Sequence, residues 1–370
     1  MKKKSLLLLG LVAVLCVFVL VGCGGGDAAT DTTAGADTAV SGDDVKAEDL
    51  IENDIYSELD KKILADLEPL PEKMEGVKIG VVVPTFSNPF YVSMQEGYED
   101  AAATMGIDVD VVAGATEDDV EGQLDVFKTM LGKDYDAIII IPITGMNLIS
   151  GVVEANEKGI PVICSGTKLD DAAAAEVGAK VAADITYDFV EQGYLGAKYI
   201  SEKIKAAGEE NAKVAVIEGL AGAFQGEGRR DGAVNAFEEA GMNVVSVQNG
   251  DWDRQTAYDI ATNLIQANPD LRGICCANDT MALGVVEALK VADKKDQVFV
   301  TGIDFLDEAR QSLKAGELDA SVAMAPYISG KSRLTLALKI LQGQDVSGKT
   351  YYSPIALITQ ENVNEYDSWK

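Results

Sequence analysis

Val77-Lys78-Ile79-Gly80-Val81-Val82-Val83 is a nearly continuous apolar run, and Pro84-Thr85-Phe86-Ser87 separates it from a helical pattern over Asn88 to Met105. A Val/Ile run of this kind has no polar face, so it reads as a strand buried on both sides, the signature of a parallel sheet covered by helices. The same unit recurs down the chain. Further runs lie at Val109 to Val112, Ala137 to Ile141, Pro161 to Ser165, Val214 to Ile217, Val244 to Val247, Gly273 to Ala277, Val298 to Gly302 and Ala320 to Ala323. Helical patterns alternate with them over Asp118 to Leu131, Asp188 to Ala206, Phe224 to Ala240, Arg254 to Gln266, Asp279 to Val291 and Tyr327 to Leu341. These strands exceed one comfortable sheet. The fold class read from them is α/β, with two doubly wound parallel-sheet lobes.

In such sheets a ligand sits outside the carboxyl ends of the strands. The residues that follow the runs are Thr85-Phe86-Ser87-Asn88-Pro89-Phe90-Tyr91, then Thr144, Thr167, Arg229, Asp251-Trp252-Asp253-Arg254, Asn278-Asp279 and Asp304. Aromatic rings stack on the C–H faces of a sugar, and planar carboxylate, guanidinium and amide groups pair with adjacent hydroxyls. Each residue also has a simpler reading: Asn278 can cap the helix after it, Trp252 can be core, and Arg229 can be a solvated charge. Their shared position after strands favours a small polyhydroxylated ligand.

The N-terminus decides where the site works. Lys2, Lys3 and Lys4 form a basic region, Leu6 to Leu20 an apolar one, and Leu20-Val21-Gly22-Cys23 resembles the lipobox of bacterial lipoproteins. That resemblance implies a signal peptide over residues 1–22 and acylation of Cys23, with the mature protein held outside the cytoplasm on the membrane by lipid. Gly24 to Asp44 reads as a disordered tether of roughly 20 residues, spanning on the order of 25 Å. Leu50, Ile51, Ile55, Leu59, Ile63 and Leu67 then fall at helical spacing over Val45 to Leu67, an acidic amphipathic helix that Pro69 and Pro71 end. It packs on the globule or spaces it from the membrane, with binding of a partner as the third reading.

The 370 residues suffice for two domains with their own cores. Formal charge is −29, and loss of the three signal lysines takes it to −32. Such acidity serves solubility and disfavours nucleic acid and anionic lipid surfaces. The chain has no histidine, so the usual general base near neutral pH and the commonest metal ligand are missing. Neither a cofactor nor a metal is expected. Beyond Cys16 and Cys23 the cysteines are Cys164, Cys275 and Cys276, all in strand-like runs, where they read as buried free thiols.

With those residues in view, the chain resembles the periplasmic sugar-binding proteins of ribose-binding type, the substrate-binding subunits of ABC importers. The resemblance is carried by Thr85 to Tyr91, by Ala277-Asn278-Asp279-Thr280-Met281-Ala282-Leu283-Gly284, by Gly302-Ile303-Asp304, by Asp251-Trp252-Asp253 and by Gly228-Arg229-Arg230-Asp231-Gly232, and runs from about Val77 to Tyr366. It implies the type I periplasmic binding protein fold, with a three-strand hinge crossing near Asp184, Met324 and Pro354. The first lobe would hold residues 77–183 and 324–353, the second residues 184–323 and 354–370, after a tether over residues 23–76. It further implies ligand contacts at Asn88, Phe90, Tyr91, Arg229, Trp252, Asn278 and Asp304. Phe90 and Trp252 would sandwich the ring from opposite lobes. Arg229 and Asp304 would take hydroxyl pairs, and Asn278 would supply a donor and an acceptor. Three further ligand positions depart from the ribose pattern: Ile141 and Met324 stand where it has amides, and Gly166-Thr167 where it has an Asp-Arg pair. A hydroxyl left unpaired there costs about 1–3 kcal/mol. The expected ligand is therefore a bulkier or less hydroxylated sugar, or a sugar-like molecule, rather than ribose.

The implied partners are that ligand and an ABC permease, with the membrane reached through the lipid, no nucleic acid, and a monomeric state. Three other functions compete. Sugar-responsive repressors share the core but carry a helix-turn-helix where this chain has an export signal. An enzyme is disfavoured by the missing histidine; Gly219 to Gly228 opens a helix after a strand but lacks the Gly-Lys-Ser/Thr of a phosphate loop and reads as a turn. The remaining alternative is a ligand-sensing receptor that passes its closed state to a membrane signalling protein.

Overall fold

The computed structural model describes residues 55–346 and 349–365. The export signal, Cys23, the tether and the first half of the expected amphipathic helix lie outside the described residues. The second half is present as α1 (Ile55–Asp66).

The first lobe follows as β1 (Lys78–Thr85), α2 (Pro89–Met105), β2 (Asp108–Gly114), α3 (Val120–Met130), β3 (Ala137–Ile140), α4 (Ile149–Glu157), β4 (Val162–Ser165), α5 (Asp171–Val177) and β5 (Ala183–Thr186). The second comprises α6 (Phe189–Ala206), β6 (Lys213–Glu218), α7 (Phe224–Glu239), β7 (Asn243–Asn249), α8 (Arg254–Ala267), β8 (Leu271–Cys276), α9 (Asp279–Val291), β9 (Phe299–Asp304), α10 (Asp307–Lys314) and β10 (Ala320–Met324). The chain then returns through α11 (Pro326–Leu341), which packs on α2, and β11 (Thr350–Tyr352), and ends in β12 (Ile355–Thr359).

Two six-stranded sheets result, ordered β11-β5-β4-β3-β1-β2 and β12-β10-β9-β8-β6-β7. The chain passes from the first sheet to the second lobe between Thr186 and Phe189, returns between Met324 and Pro326, and crosses again between Tyr352 and Ile355. Pairing is parallel apart from β12, which runs antiparallel to β10 as an edge strand. The reason is connection length: only Ser353 and Pro354 separate β11 from β12, so the chain enters the second sheet without a crossover helix.

Strand periodicity places the cores. On β3, Ala137 and Ile139 belong to the core under α2 and α11, while Ile138 and Ile140 belong to the one with Phe127 of α3 and Val152 of α4. On β8 the adjacent thiols divide likewise, Cys276 toward α8 and α9 and Cys275 toward α6 and α7; both are buried and free. Each fully buried Ile or Val contributes about 1.5–3 kcal/mol, so strands covered on both faces fix the register of both sheets.

In both sheets the strand order reverses beside the first strand, as β3-β1-β2 and β8-β6-β7. Each lobe thus has a crevice at its carboxyl edge.

Candidate ligand-binding site

The strand-end residues of the two lobes converge on one cavity, partly open to solvent. All ten expected positions line it: Asn88, Phe90, Tyr91, Ile141 and Thr167 from the first lobe, Arg229, Trp252, Asn278 and Asp304 from the second, and Met324 at a crossing. Thr144 is not among them; its hydroxyl and amide engage Asn147. Asp251, Asp253 and Arg254 line an outer cleft that shares Asn88, Glu117 and Trp252 with the cavity.

Arg229 is buried on α7 and held on three sides. Its Nε donates to Gln192 Oε1 at 2.8 Å and its Nη1 to the Ala277 carbonyl at 2.8 Å. Its guanidinium lies 5.6 Å from the Phe189 ring centroid and 5.8 Å from that of Trp252, and its Nη2 lies 3.8 Å from Asp304 Oδ1. Arg229 and Asp304 are therefore a buried pair. Burial drives the Asp304 carboxyl well above the usual carboxylate range, with Arg229 opposing it. The same burial lowers Arg229, against the pull of Asp304.

Both asparagines do more local work than expected. Asn88 caps α2 through its Oδ1, which accepts from the Phe90 amide at 2.9 Å, and its Nδ2 donates to Glu117. Asn278 caps α9, its Oδ1 accepting from the Met281 amide at 2.9 Å, while its Nδ2 takes no part in the cap. The cap reading and the ligand reading of Asn278 are thus compatible, because one amide has two ends.

Backbone strain concentrates at the second lobe's rim. Asp251, Trp252, Asp304 and Phe305 have φ of 53°, 61°, 111° and 60°. Such conformations cost of order 1–3 kcal/mol each and persist only where surrounding structure over-determines them. The Trp252 ring fits because position 219 has no side chain: a Cβ there would meet the indole at 2.0 Å. This accounts for Gly219 at the start of the glycine-rich turn without any phosphate.

Several lining residues escaped the strand-end reading. Glu117 follows β2; burial raises its carboxyl, opposed by the Asn88 hydrogen bond and Arg229. Tyr187 and Phe189 follow β5, whose Ala-Asp-Ile-Thr lacks a Val/Ile run. Gln225 of α7 accepts from Thr167 Oγ1 at 2.6 Å, a hydrogen bond between the lobes. Gln192 stands behind Met324, donating Nε2 to its sulfur at 2.8 Å. Arg333 of α11 lines the first-lobe side.

Known proteins share this fold. A periplasmic binding protein domain family matches residues 79–345. The D-allose-binding periplasmic protein of Escherichia coli K12 is 41% identical over 275 residues, 74% of this chain and 86% of that protein. A ribose import binding protein of Bacillus subtilis is 33% identical over 76% of this chain and 87% of its own length. Among solved structures, an ABC transporter periplasmic solute-binding protein from Actinobacillus succinogenes 130z with bound D-allose superposes with a TM-score of 0.74 at 31% identity, covering 78% of this chain and all of that one. The chain belongs to the periplasmic binding protein domain family.

Proposed function

We propose that the chain is an extracytoplasmic solute-binding lipoprotein that captures one neutral monosaccharide between its lobes, a hexose of the D-allose kind, and delivers it to an ABC permease. Lipid on Cys23 would hold it on the membrane, and it would act as a monomer without turnover. The observation that carries this reading is the buried Arg229–Asp304 pair at 3.8 Å, facing a cavity lined by Phe90 from one lobe and Trp252 from the other. A guanidinium–carboxylate pair offers donors and acceptors in one plane, and the rings offer apolar faces. The lining carries two guanidiniums, Arg229 and Arg333, and two carboxylates, Asp304 and Glu117, whose formal charges cancel. That balance suits a neutral ligand better than a sugar phosphate.

The relatives support a hexose over a pentose, since the D-allose-binding protein is more similar than the ribose-binding one. Ile141, Thr167 and Met324 support it independently by withdrawing polar partners from the first-lobe side. A thermal-shift screen of pentoses, hexoses and deoxy-hexoses tests the reading, because a ligand bound only by the folded state raises the apparent melting temperature. D-Allose should stabilise the protein more than D-ribose does at equal concentration. A larger shift with ribose would overturn the hexose assignment.

A further inference from the structure

Arg333 is fully buried on α11 in the first lobe. Its Nε donates to Ser165 Oγ, the last residue of β4, and its Nη1 donates to the Ser329 carbonyl at 2.9 Å. Its guanidinium lies 5.7 Å from the Tyr187 ring centroid. Among the described residues no carboxylate lies within ion-pair distance of it, and its Nη2 is a buried donor with no hydrogen-bond partner. Arg333 also lines the ligand cavity, on the side where Ile141, Thr167 and Met324 offer little polarity.

A guanidinium buried without a counter-charge is costly, and a buried donor left empty adds to that cost. Ser165, Ser329 and Tyr187 fix the planar group from behind, which pre-organises it for an acceptor still to come. We propose that Arg333 is a specificity-determining residue that donates through Nη2 to one oxygen at the first-lobe end of the bound sugar. It stands opposite in role to Arg229, which orients the ligand from the second lobe. The inference rests on the sugar-binding reading and names the donor that replaces the polar first-lobe contacts this chain lacks.

Calorimetry of the wild type, R333M and R333K with D-allose and its monodeoxy analogues tests it. One analogue, lacking the oxygen that Arg333 meets, should bind the wild type 10- to 100-fold more weakly than D-allose. R333M should lose a similar factor for D-allose and should no longer distinguish that analogue from the parent. R333K should recover part of both. Melting of the ligand-free variants establishes that they are folded, and R333K keeps the test open if R333M is not. A merely structural role predicts that R333M weakens D-allose and every analogue by one common factor, and that result would overturn the proposal, as would unchanged binding. Tighter wild-type binding of the corresponding sugar acid would replace the hydroxyl acceptor with a carboxylate and overturn the neutral-ligand form. No wild-type binding of D-allose or its analogues would take the sugar reading down together with this one.

Discussion

Asp304 shows how one residue joins local strain to ligand chemistry. It ends β9 at φ 111°, buried, with its carboxylate 3.8 Å from Arg229. Asp304→Ala should weaken sugar binding by about 2 kcal/mol or more, roughly 30-fold, because it removes an acceptor and leaves Arg229 buried without its carboxylate. Titration calorimetry reads the loss; a change under threefold would separate Asp304 from the site. Its neighbour Asp279 serves the frame. Ser321 Oγ donates to its Oδ1 at 2.8 Å and the Leu306 amide to its Oδ2 at 2.9 Å. A Cβ at Gly302 would meet that carboxylate at 2.1 Å, so the glycine in Gly302-Ile303-Asp304 exists for Asp279.

Burial lifts the Asp279 carboxyl from an ordinary 3.8 to about 7. The fold then favours the protonated form. This group's contribution is complete below pH 3.8 and is lost as pH rises through about 7. The loss amounts to roughly 4 kcal/mol at most. The stability difference between wild type and Asp279→Asn should therefore change across that window in denaturant titrations, whereas a constant difference would contradict the assignment. At this scale the motifs were legible and the partnerships were not. Asn278, Asp304 and Arg229 announce themselves after strands, but nothing in linear order ties Gly302 to Asp279, Glu117 to Asn88, or Gln225 to Thr167.

Elements were legible where apolar periodicity is strong. β1, β3 and β6 are Val/Ile runs covered on both faces, and α9 follows its expected limits. β5 was missed because Asp184 interrupts four residues, α5 because it buries no side chain, and β12 because an edge strand keeps most residues half exposed. Of the six apolar residues whose spacing predicts the helix over Val45 to Leu67, Leu59, Ile63 and Leu67 are buried, and the other three fall where no side chain is described. The three buried ones do not share one core. Leu59 packs with Ala325, Ile358 and Val363 of the second-lobe cluster, Ile63 and Leu67 with Val77 and Leu334 of the first. Asp60 pairs with Lys331 of α11 at 3.0 Å. α1 thus lies beside the crossings at Ala325 and Pro354, stitching both lobes at the hinge. Leu59→Ala should destabilise the protein by about 2 kcal/mol, the low end for a buried leucine at the edge of a core. An unchanged unfolding midpoint in urea would mean that α1 does not dock.

At the scale of the molecule, two crevices face each other and share one cavity. Thr167 and Gln225 bond across it, and three chain crossings join the lobes. The two-lobed architecture was legible because parallel strands demand crossover helices, and their number exceeds one sheet. The meeting of the ten lining positions is a property of that topology rather than of any one motif. The proposed function requires this cavity to hold a single neutral sugar. Calorimetric titration of the wild-type protein with D-allose tests it most directly. Saturable heat is expected at one site per chain, with a dissociation constant at or below about 1 μM, near −8 kcal/mol, and no heat of turnover after saturation. The absence of saturable heat, a stoichiometry other than one, or continuing heat from conversion of the sugar would contradict it.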